Sequence, residues 1–280
     1  MTLKVHHRTS YHYEDAVFLD PHYFYLKPQV RAYLDLKDFQ IEVSPTPKGI
    51  TERIDIENNE YFQVWNHNKT NHLEVIVNST ISLKELNLFN FLIDPPMQLN
   101  KGNIYNSSDI VFLKPYLTQS IPAHIKKFTT NLAEQTNYDP ISFLNALLAE
   151  ISQNWDHTIR MEQNILPVDQ CFSSKEGSCR DLTAMLMDML RAIGLATRFV
   201  SGYAYNPELA EGHELHAWAE VLLPGAGWIG IDPSLGLFTN EMYIPLATSY
   251  TPANTMTVKG HYRGQVKAIL DTEVTITEQN

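Results

Sequence analysis

Gly177-Ser178-Cys179-Arg180-Asp181-Leu182 opens the stretch that decides the fold. From there Leu182, Met185, Leu186, Met189, Leu190 and Ile193 recur at helical spacing, and Gly194 supplies a stop. The pattern predicts a helix over 180–193 with Cys179 at its N-terminus. Three strand patterns follow: Ala196 to Tyr205, His216 to Leu223 and Trp228 to Asp232. Pro224-Gly225-Ala226-Gly227 turns the last two into a hairpin. The helix-start thiol is thus followed by His216, which begins a strand, and Asp232, which ends one. In that order they are the parts of a cysteine nucleophile, its base and the group that orients the base. They imply a Cys-His-Asp hydrolase or transferase.

A helix N-terminus lowers a thiol's pKa, because unpaired N–H groups and the positive end of the dipole lie there. The same N–H groups can donate to an oxyanion when a carbonyl is attacked. Gly177 and Ser178 are small and let backbone and substrate come close. Asp181 stabilises the first helical turn, but its charge opposes a thiolate unless Arg180 or another cation holds it. Cys171, outside any clear helix start, reads as structural. His213, in the Glu211–Glu214 loop, is a weaker rival to His216.

The hairpin register carries a sharper expectation. Opposed residues of an antiparallel pair share a face, and a one-residue slip exchanges the faces. A four-residue loop would pair Leu223 with Trp228 and turn Asp232 away from His216. A three-residue loop, 224–226, pairs Leu223 with Gly227 and makes His216 a same-face diagonal neighbour of Asp232. A five-residue loop, 223–227, keeps that register, so we expect it, or a bulge restoring the parity.

Upstream the period is different. Phe39-Gln40-Ile41-Glu42-Val43, Tyr61-Phe62-Gln63-Val64-Trp65 and Leu73-Glu74-Val75-Ile76-Val77 alternate as strands do, with turn residues between them. An antiparallel β-sandwich is expected over 1–116, as a scaffold or interaction module. Asp94 to Pro115 reads as a linker. Helical spacing begins with Ile125, Phe128 and Leu132, which places the catalytic domain at 117–280. The fold class is α+β. All three candidate groups lie in the second domain, so the β domain is expected to be dispensable for the thiol's chemistry.

The chain has 280 residues, a formal net charge of −11 and 44% hydrophobic residues. That charge argues against nucleic acid and gives no support to an anionic membrane surface. No apolar run approaches the roughly 20 residues of a membrane span. Two cysteines do not make a disulfide framework, and neither CxxC nor HExxH spacing occurs, so no metal or cofactor is expected. The N-terminus lacks the apolar segment of a signal peptide, which gives a cytoplasmic expectation. His6, His7, His22, His67 and His72 read as surface or satisfied core residues.

The motifs resemble the transglutaminase-like superfamily, in particular its bacterial branch with an N-terminal β domain. The resemblance rests on Gly177–Leu182, Leu190–Tyr203, His216–Val221 and Gly227–Pro233, with Leu3–Tyr13 similar to the start of the branch's first domain. It implies a papain-like core with Cys179 as nucleophile, His216 as base and Asp232 as orienter. The activity implied is opening of a peptide or protein amide through a Cys179 thioester. Hydrolysis is favoured, with acyl transfer to an amine or a non-catalytic binding module as the alternatives. The aromatic Phe-x-Tyr usual upstream of the nucleophile is replaced by Trp155-Asp156-His157.

Overall fold

The structure is a computed structural model, and it describes residues 1–280 except 101, 103, 119, 161, 163, 209–214 and 280. The chain begins with β1 (Thr2–Leu19), β2 (His22–Phe24), β3 (Leu34–Ser44), β4 (Gly49–Ile54), β5 (Glu60–Trp65) and β6 (Thr70–Leu83). The alternation predicted for Leu73–Val77 is seen in β6, where Leu73, Val75, Val77, Ser79 and Ile81 are buried and the residues between them are not. β1, β3 and β6 form one antiparallel sheet in the order β1-β6-β3, while β2, β5 and β4 form a second. Leu3, Val5 and Val77 of the first pack with Phe24, Phe62 and Val64 of the second, and the Phe39 ring stacks on Phe62. Each such side chain contributes about 1.5–3 kcal/mol by leaving water.

Helices and the remaining strands follow: α1 (Ser107–Leu117), α2 (Ala123–Gln135), α3 (Pro140–Asn154), β7 (Asp156–His157), α4 (Val168–Ser174), β8 (Glu176–Gly177), α5 (Cys179–Ala192) and β9 (Thr197–Ala204). Then come β10 (Leu215–Leu223), β11 (Gly227–Asp232), β12 (Leu237–Phe238) and β13 (Tyr243–Ser249). The tail adds β14 (Val258–Lys259), β15 (Tyr262–Arg263) and β16 (Ala268–Glu278). A sheet in the order β12-β11-β10-β9-β13 packs on α5. The predicted stripe holds, since Leu182, Met185, Leu186, Met189 and Leu190 are at most 0% exposed. Gly194, at φ +85, takes the left-handed turn that ends the helix. No helix among the described residues is long and apolar enough to cross a membrane.

The division at 116/117 needs correction at both ends. β16 returns to the N-terminal sheet and pairs β1 in register from Leu3–Glu278 to Tyr13–Ala268, while β14 and β15 add to β2 and β1. Val274 and Ile276 are drawn into the first core by their own period-2 pattern, from more than 250 positions away. Nor is Asp94–Pro115 a plain linker. Asn106 caps α1 by accepting from the Asp109 N–H, and the Tyr105 hydroxyl donates to Leu222 O at 2.7 Å and accepts from Ala196 N–H at 2.9 Å. Tyr203, Ile244 and Leu246 of the helical unit sit in the first unit's core. A cut at 116/117 would strip that core and remove the partners of β14–β16, so the expected independence of the second unit does not fit the packing.

Candidate active site

Cys179 is the first residue of α5 and half-buried. Ser178 caps the helix, and Asp181 completes a capping box by accepting from the Ser178 N–H at 2.9 Å and its hydroxyl at 2.6 Å. The cation on Asp181 is not Arg180. Arg160 donates to both carboxylate oxygens at 3.0 and 2.9 Å, and the Leu166 N–H adds a bond of 2.7 Å. Arg180 instead donates to the carbonyls of Arg160 and Glu162. The expected conflict between Asp181 and a thiolate is thereby removed: the carboxylate is occupied from every side. Gly177 is small for a packing reason, since an added Cβ would lie 2.9 Å from Asp181 Cβ and 3.1 Å from Cys171 Sγ.

The hairpin takes the three-residue loop. Leu223 pairs Gly227 and Ala219 pairs Ile231, which turns Asp232 to the face of His216. His216 Nε2 and Asp232 Oδ2 are 2.7 Å apart. Asp232 is 0% exposed. Its Oδ1 accepts from the Ser234 N–H at 2.9 Å and the Ser234 hydroxyl at 2.6 Å, so the Asx-turn role and the orienting role coexist on different oxygens. Oδ2 also accepts from the Tyr243 hydroxyl at 2.7 Å. With Nε2 taken, the ring nitrogen left for the thiol is Nδ1.

The thiol lies within hydrogen-bond reach of two imidazoles, His216 and His157, and of the Ala217 backbone. Burial pushes the Cys179 thiol up, but these hydrogen bonds and the His216 charge outweigh it and bring the pKa down to about 6. Burial likewise pushes His216 down, and the bonds to Asp232 and Cys179 reverse this and raise it to about 10. Thiolate and imidazolium are therefore the favoured pair at neutral pH. Cys171 is the opposite case: buried in α4 within the core, its thiol is pushed up to about 12 by burial and by the nearby Asp181 charge.

Two site residues escaped the sequence reading. Tyr243 holds Asp232 from β13 and carries no local signature. His157 is placed by a two-strand parallel bridge in which His157 pairs Gly177, with Thr158 N–H donating to Gly177 O at 2.9 Å. Its pKa is raised, first by its hydrogen bond to Cys179. The only available signal was the departure Trp155-Asp156-His157. His213 lies outside the described residues. Among the described residues no group of three His, Cys, Asp or Glu side chains is placed to hold a metal ion.

These groups open onto a cleft of about 1040 Å³. Cys179, His157 and His216 line it from the helical unit, and Thr9, Tyr11, Leu270 and Thr272 line it from the N-terminal sheet. The β domain thus forms part of the site's surroundings.

A helix-start thiol with an imidazole and a buried carboxylate behind it defines a cysteine-centred site on a mixed α+β fold. Residues 126–233 match the transglutaminase-like superfamily core, and residues 3–82 match the bacterial transglutaminase-like N-terminal region. The chain belongs to the transglutaminase-like superfamily. A solved structure from Cytophaga hutchinsonii, described as a "putative cysteine protease", superposes with a TM-score of 0.73 at 16% identity, over 100% of this chain and 92% of that one. At that identity the likeness is one of fold. An uncharacterized protein of Mycobacterium tuberculosis is 28% identical over 120 residues, 39% of this chain and 38% of that protein. A protein-glutamine gamma-glutamyltransferase of Pseudomonas aeruginosa is 33% identical over 73 residues, 24% of this chain and 11% of the relative. The chain thus spans under two-fifths of the length of these two curated relatives.

Proposed function

We propose that this protein is a cysteine-dependent amide or peptide-bond hydrolase, with Cys179 as nucleophile, His216 as proton carrier and Asp232 as orienter. The observation that carries the reading is the thiol at a helix start beside an imidazole whose far nitrogen meets a buried carboxylate at 2.7 Å. The thiolate attacks the carbonyl carbon. First-turn N–H groups of α5, with His157 beside the sulfur, are placed to donate to the oxyanion. The His216 imidazolium passes its proton to the leaving amine, and the thioester remains on Cys179. Water, deprotonated by His216, then attacks the thioester and releases acid and thiol.

Acyl transfer to an amine shares every step up to the thioester, and the stretch 33% identical to a glutamyltransferase favours keeping it as the second reading. Turnover of unfolded dimethylated casein with and without a fluorescent primary amine separates the two. Hydrolysis yields new carboxyl ends without incorporated label; acyl transfer yields label in the protein. Loss of neither product on Cys179→Ala, or no product at all with a labelled thiol, would contradict both. The two free thiols fit a reducing compartment, and we propose the cytoplasm, which fractionation of the full chain tests.

A further inference from the structure

Among the described residues the N-terminal sheet ends on β16, whose outer side has no strand partner. β1 pairs β6 on one side and β16 on the other, and among the described residues no strand pairs the outer side of β16. The direction of its backbone groups follows from the two ends of the ladder. Gln279 N–H donates to Thr2 O at 2.8 Å, and Glu14 N–H donates to Lys267 O at 3.1 Å. Between these ends the register runs without a shift. Alternate residues of an antiparallel strand turn their N–H and C=O to opposite sides. The odd-numbered residues of β16 therefore face β1, and Leu270, Thr272 and Val274 direct theirs outward.

Those three residues line the cleft that holds Cys179. So does Asp271, whose side chain belongs to the other face of the strand. Thr9 and Tyr11 of β1 line it from the same face as their partners Thr272 and Leu270, so that face walls the cleft, and Asp271, from the other face, puts the outer edge of β16 at its rim. Leu270 and Thr272 are exposed, and the stretch contains no proline to block pairing. A free, unblocked edge is a template for another strand. Extended peptides use such edges, taking affinity from main-chain hydrogen bonds.

We propose that the acyl donor is an extended polypeptide that adds to this sheet as a strand along Leu270–Val274, and that this pairing carries its carbonyl to Cys179. The inference rests on the nucleophile reading above and narrows its substrate class: a segment of about five residues, roughly 17 Å long, rather than a small amide. It also gives the β domain a direct part in substrate capture.

The test uses alanine peptides of one, three and five residues ending in a chloromethyl ketone, which read main-chain pairing without side-chain preference. The rate of Cys179 labelling is divided by the rate with iodoacetamide on the same protein. That ratio should rise about tenfold or more from one to five residues. Thr272→Pro removes an outward N–H and leaves the bonds to β1 intact; it should abolish the rise. N-methylation of alternate probe amides should do the same in the unaltered protein, which decides the matter if the proline variant does not fold. A flat length dependence, or a rise that survives both changes, overturns the inference. If iodoacetamide labels Cys179 no faster than Cys171, the nucleophile reading fails instead, and the two failures are distinct.

Discussion

Cys171 and Cys179 belong to consecutive helices of one unit, yet their surroundings pull the two thiols in opposite directions. Cys171 lies in the body of α4 among Trp155, Leu182 and other core residues, with a buried Asp181 carboxylate nearby. Burial and that carboxylate outweigh the Arg160 charge and keep it neutral. Cys179 is half-buried, and it starts a helix and meets two imidazoles. A desolvated thiol becomes a thiolate only where its environment supplies positive charge and N–H donors. Burial raises both thiols; the hydrogen bonds and charge of the imidazoles, present only at Cys179, separate them.

The largest effect that could break this contrast is on turnover. Cys179→Ala should remove it to background while leaving the circular dichroism spectrum and denaturation midpoint nearly unchanged, because a small residue at a half-buried helix start leaves no large cavity. Residual turnover through Cys171 would erase the distinction. Next comes the carboxylate. Asp232→Asn should lower kcat by about 10³–10⁴-fold with the fold kept, as the corresponding change does in the handling of serine-protease histidines. A near-normal rate would show that another group orients His216. Its hydroxyl partner should matter less: Tyr243→Phe removes one bond to Asp232 Oδ2 and should cost about tenfold in kcat. The smallest kinetic effect belongs to Cys171. Cys171→Ser should leave the rate alone and cost about 1–3 kcal/mol of stability in a denaturant titration, through a hydroxyl placed in an apolar site.

The parts of this site that could be read in advance share a property: each is written in a few consecutive residues. Cys179 precedes a clean helical period, His216 starts a strand, and Asp232 precedes a proline. Their meeting followed from the short loop 224–226, which fixed the side of the sheet. What stayed hidden depends on distant pairing. His157 reaches the sulfur through a parallel bridge to Gly177, and Arg160 rather than Arg180 neutralises Asp181, because the chain between 157 and 177 folds back on the helix start. The return of β16 to β1 has no local mark beyond alternation, and an alternating strand does not name its partner. The misplaced domain boundary follows from that.

The most direct measurement is the pH dependence of iodoacetamide labelling at Cys179, followed by peptide mass mapping with Cys171 as the internal reference. The thiol loses its proton as pH rises, so the Cys179 rate should climb through a midpoint near 6 and level off by neutral pH, while Cys171, held near 12, stays unlabelled. A Cys179 midpoint at the ordinary thiol value of about 8.5, or equal labelling of the two cysteines at pH 7, would contradict a thiolate sustained by His216 and Asp232.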